Sequence, residues 1–275
     1  MLKLTNTKTI ISGSTIEVYS YPAERPLAYN FTVGNIGRIR NRNTGTDTES
    51  LKRKALSGKR SARRAVLELR KLVNANVWRY ISPTGVICAP LFVTFTFSDE
   101  VRGMKTANRL FLKFIHRLNY RLTNNAKYIS VIGFQDMNRD GVVHYHTVFF
   151  NISPEQEILL SEAWKLGNVD IKKVQDLTAE DSENIGLYMA KHITVSSGDS
   201  RFDGHKRYFA SRGLYKAVEI RDQHKAQSIV KFIPSEYVPK QYSFSGFQGK
   251  ITCFKYKLNK GEVLADIAPE IKQFL

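Results

Sequence analysis

The chain has 275 residues, of which 42% are hydrophobic and 11% aromatic, enough for a packed core and too much for a disordered chain. Lys and Arg number 42 against 25 Asp and Glu, a net charge of +17 that points to a polyanionic partner, most often nucleic acid, with a cationic solvated surface as the plain alternative. No apolar run approaches the roughly 18 residues a membrane helix needs, "MLKLTNTKTI" lacks a secretory layout, and Cys88 and Cys253 form no CxxC, so a reduced cytoplasmic setting without membrane is expected.

Residues 1–35 carry weak strand signals such as "TIEVYSY", and residues 36–57 read as a basic loop rich in Asn, Thr and Gly. Between 38 and 79 the charge concentrates, with thirteen Lys and Arg against three acids. "GKRSARRAVLELRKLVNAN" places Ala62, Ala65, Val66, Leu69, Leu72 and Val73 at helical spacing, with Arg60, Arg63, Arg64 and Lys71 off the stripe. That basic face either tracks a phosphate backbone or only solubilises the helix.

From residue 91 the pattern sharpens. "LFVTFTF" alternates as a strand, with Leu91, Val93, Phe95 and Phe97 on one face. A helix follows, with Ala107, Leu110, Phe111, Phe114, Ile115 and Leu118 on one stripe. "KYISVIGFQ" is a second strand, "DMNRDG" a turn, and "VVHYHTVFFN" a third strand. "SPEQEILLSEAW" opens a helix with Ser153 as N-cap, Pro154 at the first helical position and Gln156 closing a capping box. "NVDIKKVQ" is a fourth strand, and "TAEDSENIGLYMAKHI" a helix with Thr178 as its expected cap.

The order from 91 to 193 is β-α-β-β-α-β-α. Its first six elements have the split layout of ferredoxin-like and RNA-recognition-type domains. The expected fold is therefore α+β: an antiparallel sheet with helices on one face, and a last helix free to lie across the other. Beyond about residue 200 short strand-like pieces follow, among them "GLYKAVEI", "SIVKFIP" and "QYSFSGFQGKITCFKYKL". The expected organisation is a basic extension over 1–80 with one amphipathic helix, a core over 81–200 and a strand-rich extension of that core over 201–275.

In the third strand Val142, His144, His146, Val148 and Phe150 share one face, while Val143, Tyr145, Thr147 and Phe149 share the other. The two imidazoles therefore project side by side from bases roughly 6–7 Å apart. Such a pair can clasp a divalent ion, or it can be hydrogen-bonded to sheet neighbours. In the last helix Tyr188, Lys191 and His192 occupy i, i+3 and i+4 and lie on one face. A tyrosine, with a reference pKa of about 10, needs a cation and a polarised phosphate to act as a nucleophile; the plain alternative is a ring half-packed on the sheet. His116 reads as exposed, and His205 and His224 as loop residues without partners. Trp78 and Trp164 read as core. No G-x-x-x-x-G-K-[ST] occurs, and "GFQGKI" lacks its spacing, so no nucleotide cofactor and no built-in helicase are expected.

"FVTFTF", "HYH" and "YMAK", in this order and at these separations, resemble the HUH endonucleases, whose name describes two histidines flanking a hydrophobic residue. Within them the chain is most similar to the single-tyrosine replication initiators of small phages and plasmids that copy by rolling circle. "SARRAVLELRKLVNAN", "ANRLFLKFIHRLN", the Trp164–Gly167 pair and "KRYFASRGL" extend the likeness over roughly residues 50–215. The resemblance implies His144 and His146 as ligands of Mn²⁺ or Mg²⁺, Tyr188 as the nucleophile on a scissile phosphate, and Lys191 as a group steadying that phosphate. It further implies a 5′-phosphotyrosine link, a free 3′-OH for a host polymerase, and a host helicase to open the duplex. Single-stranded DNA at a replication origin would be the partner, with Arg60, Arg63, Arg64 and Arg212 on its backbone. Relatives carry a Glu as third ligand in a pattern like "EFQ", whereas this chain has "GFQ", Gly133-Phe134-Gln135. Gln135 takes that role by position, with Asp136 and His192 as alternatives. Two neighbouring readings remain, a mobilisation relaxase or single-tyrosine transposase with the same chemistry, and a non-catalytic single-strand-binding relative.

Overall fold

A computed structural model describes residues 2–30, 47–135, 141–173, 184–195, 200–202, 205–246 and 249–274. The chain divides into a central unit, Leu51–Tyr215, and a terminal unit made of Met1–Ser50 with Lys216–Leu275. The cut at 215 and the union of the two chain ends differ from the boundaries expected at 80 and 200. Strand pairing explains the difference. The N-terminal strands find their partners in the last sixty residues, a long-range pairing that local patterning does not display.

In the terminal unit β1 (Leu2–Thr5) pairs with β4 (Leu27–Asn30). β2 (Thr7–Ser12) and β3 (Thr15–Ser20) form a hairpin. They join β10 (Val218–Ile220), β11 (Lys240–Gly246) and β12 (Gly249–Lys257) in an antiparallel sheet of order β10-β2-β3-β12-β11. Helix α5 (Gln223–Lys231) starts at Asp222, whose side chain accepts from the Lys225 amide, and it buries Ala226 and Ile229 against Ile11, Ile16 and Val18. "SIVKFIP" is thus largely helix rather than strand, and His224 is a helical residue rather than a loop one. The short α6 (Leu264–Ile267) and a 3-10 turn over Pro269–Phe274 close that core with Leu264 and Ile271.

The central unit begins with α1 (Asp47–Asn76), so residues 47–57 are helical where a loop was expected. Then come β5 (Leu91–Phe97), α2 (Met104–Arg121), β6 (Tyr128–Gln135), β7 (Val142–Phe149), a 3-10 turn at Pro154–Gln156, α3 (Ile158–Trp164), β8 (Gly167–Lys172), α4 (Ile185–Val195) and β9 (Tyr208–Ala210). The sheet order is β8-β5-β7-β6-β9, every pair antiparallel. The first four strands thus lie in the 4-1-3-2 order of the split β-α-β layout, and the α+β expectation holds. The capping box forms as read, with the Ser153 amide donating to the Gln156 side chain. Thr178 and the turn over 136–140 lie outside the described residues.

Strand alternation sorts the core into two layers. Leu91, Val93, Phe95, Phe97, Val143, Tyr145 and Phe149 pack against α2 and α3, with Trp164 fully buried among them. Phe92, Ile129, Val131, Val148 and Phe150 face the other way, against α1 and α4. The second face is therefore covered by two helices rather than crossed by the last one alone. The α1 stripe serves that contact: Ala62, Leu69 and Val73 are buried, while Arg60, Arg63 and Arg64 are exposed. Lys71 is not part of a free basic face, since it pairs with Glu68 at 2.7 Å.

Asn76, at the end of α1, is fully buried and uses its whole hydrogen-bonding capacity. Its amide donates to the Leu72 and Tyr215 carbonyls, and its oxygen accepts from the Tyr80 hydroxyl and the Tyr215 amide, at 2.7–2.9 Å. One side chain thus ties the start of the unit to its end. Asn76→Ala leaves these partners unsatisfied and is expected to cost about 2–4 kcal/mol. Urea unfolding at an unchanged m-value measures it, and a loss below about 1 kcal/mol would show that water substitutes for the amide.

Candidate active site

The second face of the central sheet carries the histidines. β7 pairs with β5 so that His146 lies opposite Thr94 and His144 opposite Thr96, and with β6 so that His144 lies opposite Gly133. Between the histidines Tyr145 points into the first core layer, fully buried, its hydroxyl donating to Asn108 at 2.7 Å, and burial pushes its pKa up. The strand therefore holds one tyrosine for the core and two imidazoles for the opposite face.

The Nε2 atoms of His144 and His146 face each other at 3.0 Å. Two nitrogens each about 2.1 Å from a small divalent ion, at a right angle, stand about 3.0 Å apart. The separation therefore suits either an N–H···N hydrogen bond or a shared cation. His146 Nδ1 lies 3.3 Å from the Thr94 hydroxyl, an outer contact that fixes ring orientation. Gly133 makes room for the pair, because a Cβ there would stand 2.3 Å from His144 Nε2. The imidazole of His144 thus occupies the place from which a side chain at 133 would rise.

Helix α4 brings Tyr188 and His192 to the same face. It approaches α1 closely at Gly186, whose amide donates to the Asn74 side chain at 3.1 Å and where a Cβ would meet the Arg70 carbonyl at 2.6 Å. The Tyr188 ring meets Phe92 edge-on with centroids 4.9 Å apart, and His192 at 5.7 Å. His192 stacks on His146 with centroids 3.8 Å apart and planes 21° apart. Phe92, Thr94, His146, Lys172, Tyr188, Met189 and His192 line one small cavity.

Burial, with His192, His144 and Lys172 nearby, lowers the pKa of His146 to about 2; burial, with His144, Lys172 and Lys191, lowers that of His192 to about 4. Both rings are therefore neutral near pH 7 and keep a lone pair for a ligand. The unfolded chain, with histidine near 6.5, binds the extra protons first as pH falls. The stability held above pH 6.5 thus drains away between pH 6.5 and 4 through His192, and lower still through His146. With EDTA present, the melting temperature is expected to drop from pH 7 to pH 5, and His192→Phe, which keeps a stacked ring, is expected to blunt that drop. Parallel pH profiles for the two proteins would overturn the assignment.

The structure therefore gathers His144, His146, His192 and Tyr188. Lys191 is exposed on the outer side of α4, and Lys172 of β8 lines the cavity instead. Strand phase could have found Lys172, since it lies opposite Phe92 and one step from Asp170, which lies opposite Thr94. Arg212 is exposed, and its carbonyl accepts from Lys127. The side chain of Gln135 and the whole of Asp136 lie outside the described residues. Among the described residues no three His, Cys, Asp or Glu side chains are arranged to hold a metal ion. His192 is held parallel to His146, and rings so stacked direct their nitrogens side by side rather than at one cation.

Residues 90–196 match the family model of the replication-associated proteins of ORF2 type. The matched stretch runs from β5 to the end of α4 and holds both paired histidines and Tyr188. The match supports a role in replication initiation, with DNA as the partner. No curated protein and no solved structure matches the chain. Among the described residues no helix is long and apolar enough to cross a membrane.

Proposed function

We propose that the chain is a divalent-metal-dependent nickase and strand transferase that opens single-stranded DNA at a replication origin through Tyr188 and so starts rolling-circle replication. The observation that carries this reading is the common cavity: Tyr188 and His146 line it together, on the sheet face where His144 and His146 meet, inside the stretch that matches replication-associated proteins.

The Tyr188 oxygen attacks the phosphorus, and its proton passes to solvent. The O3′–P bond breaks, leaving a 5′-phosphotyrosine and a 3′-hydroxyl that takes up a proton. Attack by a later 3′-hydroxyl reverses the sequence and joins strands, because the phosphotyrosine link conserves the bond energy. A Mn²⁺ or Mg²⁺ ion on His144 and His146 would neutralise phosphate charge and stabilise the departing oxygen. Both imidazoles suit that use, set a chelating distance apart, with His146 held neutral; they favour Mn²⁺ over the harder Mg²⁺. Phe92 and His192 hold the phenol ring. Lys172, rather than Lys191, supplies the fixed positive charge beside the nucleophile.

An origin oligonucleotide labelled at its 3′ end, incubated with the protein and run on a denaturing gel, tests the reading. A labelled adduct that forms with Mn²⁺ and disappears with EDTA is expected. Lys172→Met should slow adduct formation about a hundred-fold, and Lys191→Met much less; equal effects would return the charge to the helix. A second reading has its own support in Gly133, which stands where the resemblance expects a carboxylate. On that reading the chain binds single strands without cutting them, and no adduct forms with any divalent ion.

A further inference from the structure

We propose that the β11–β12 hairpin of the terminal unit is a separate contact surface for single-stranded DNA, with Tyr242 and Phe244 stacking on bases and Lys240 and Lys255 taking the phosphates. The proposal goes beyond the nicking chemistry and does not depend on it.

β11 is the outer strand of its sheet, and every one of its seven residues is exposed although it pairs with β12 throughout. Tyr242 and Phe244 are 40% and 44% exposed, two positions apart on one face. Beneath them lie their partners across the pair, Cys253 and Ile251, both buried. Each ring thus has one side resting on the sheet and the other in water, which is what a base needs to stack upon. The Cys253 thiol donates to the Tyr242 hydroxyl at 3.3 Å, holding that ring in place before any ligand arrives.

The charges agree. Residues 240–257 contain four lysines and no acid. Lys240 and Lys255 stand directly opposite each other, on the same face as the two rings. A like-charge pair in that position destabilises a sheet unless an anion lies over it. Glu17, the partner of Lys255 on β3, is buried and offsets part of this charge, and Lys257 adds to it. At the far side of the face Lys8 lies 4.8 Å from the Tyr19 ring centroid and 4.0 Å from Glu219. Lysines beside supported aromatic rings, on the outermost strand of the sheet, suit a flexible polyanion bearing flat bases. A second copy of this chain would bring the same positive charge to that edge.

The test is fluorescence anisotropy of a labelled oligothymidylate with the full-length protein in EDTA, so that no cutting occurs. Stacking on one aromatic is worth about five- to a hundred-fold in affinity. Tyr242→Leu with Phe244→Leu keeps Ile251 and Cys253 covered but removes both aromatic faces, and it should weaken binding at least ten-fold. Tyr242→Phe with Phe244→Tyr should bind as the wild type does. Lys240→Gln should lower the salt dependence by about one unit. Tyr188→Phe should leave the affinity unchanged, which separates this surface from the nicking site. The proposal is overturned if the double leucine protein, with unchanged melting temperature, binds within two-fold of wild type. It is equally overturned if the substitutions abolish only self-association, or if wild type binds no single strand.

Discussion

Tyr188→Phe is expected to abolish the covalent protein–DNA adduct while leaving affinity for the origin strand within about two-fold. The substitution removes one oxygen and keeps the ring, so the edge contacts to Phe92 and His192 survive and the melting temperature should hardly move. No other group replaces the missing atom, because the covalent step consists of a bond between that oxygen and phosphorus. The readout must follow the 3′ fragment, since the nucleophile stays on its 5′ phosphate. An adduct of undiminished yield in the phenylalanine protein would reject Tyr188, and Tyr208, which packs on the same sheet face, would be the next residue to replace. Loss of adduct together with loss of binding would instead mean that the hydroxyl serves recognition.

Much of the central unit was legible because its patterns are local. The alternation of Leu91, Val93, Phe95 and Phe97 and the stripe of Ala107, Phe111, Phe114 and Leu118 each report a buried face, and those faces meet in one core layer. The phase of "VVHYHTVF" likewise separates Tyr145 from the two histidines by alternation alone. The terminal unit was opaque because its sheet joins residues more than two hundred positions apart, as in the pairing of Lys255 with Glu17. "SIVKFIP" misled because a short apolar run fits either a strand or the inner face of a helix; the Asp222 cap decides for helix. Helix α1 showed its stripe but not its destination, so the second sheet face was expected to be more open than it is. Within the site, helical spacing drew attention to Lys191, whereas the cavity takes its lysine from β8. A lysine two strands away from the histidines leaves no local signature beyond its phase.

Gly133→Ala should have the other large effect, and it should act without unfolding the protein. The new methyl group would stand 2.3 Å from Nε2 of His144 and 2.8 Å from its Cε1, where ordinary contact begins near 3.4 Å. Strand β6 is paired on both sides, with β7 and β9, so its backbone cannot retreat; the ring must swing away, and the 3.0 Å pairing with His146 is lost. Mn²⁺ affinity, measured by titration calorimetry, should fall at least ten-fold, with adduct formation falling alongside. Stability should change little, because the strain of moving an end group is offset by the smaller entropy of an unfolded chain with alanine in place of glycine. A carboxylate fares no better at this position: Gly133→Glu starts from the same Cβ and meets the same imidazole. It should therefore lower Mn²⁺ affinity, although the resemblance would expect a gain. Combining Gly133→Glu with His144→Ala clears the space and should bind Mn²⁺ more tightly than His144→Ala alone. If Gly133→Ala keeps the wild-type affinity, the ring of His144 is free to hold its ligand from another position, and the glycine is not what makes room for the pair.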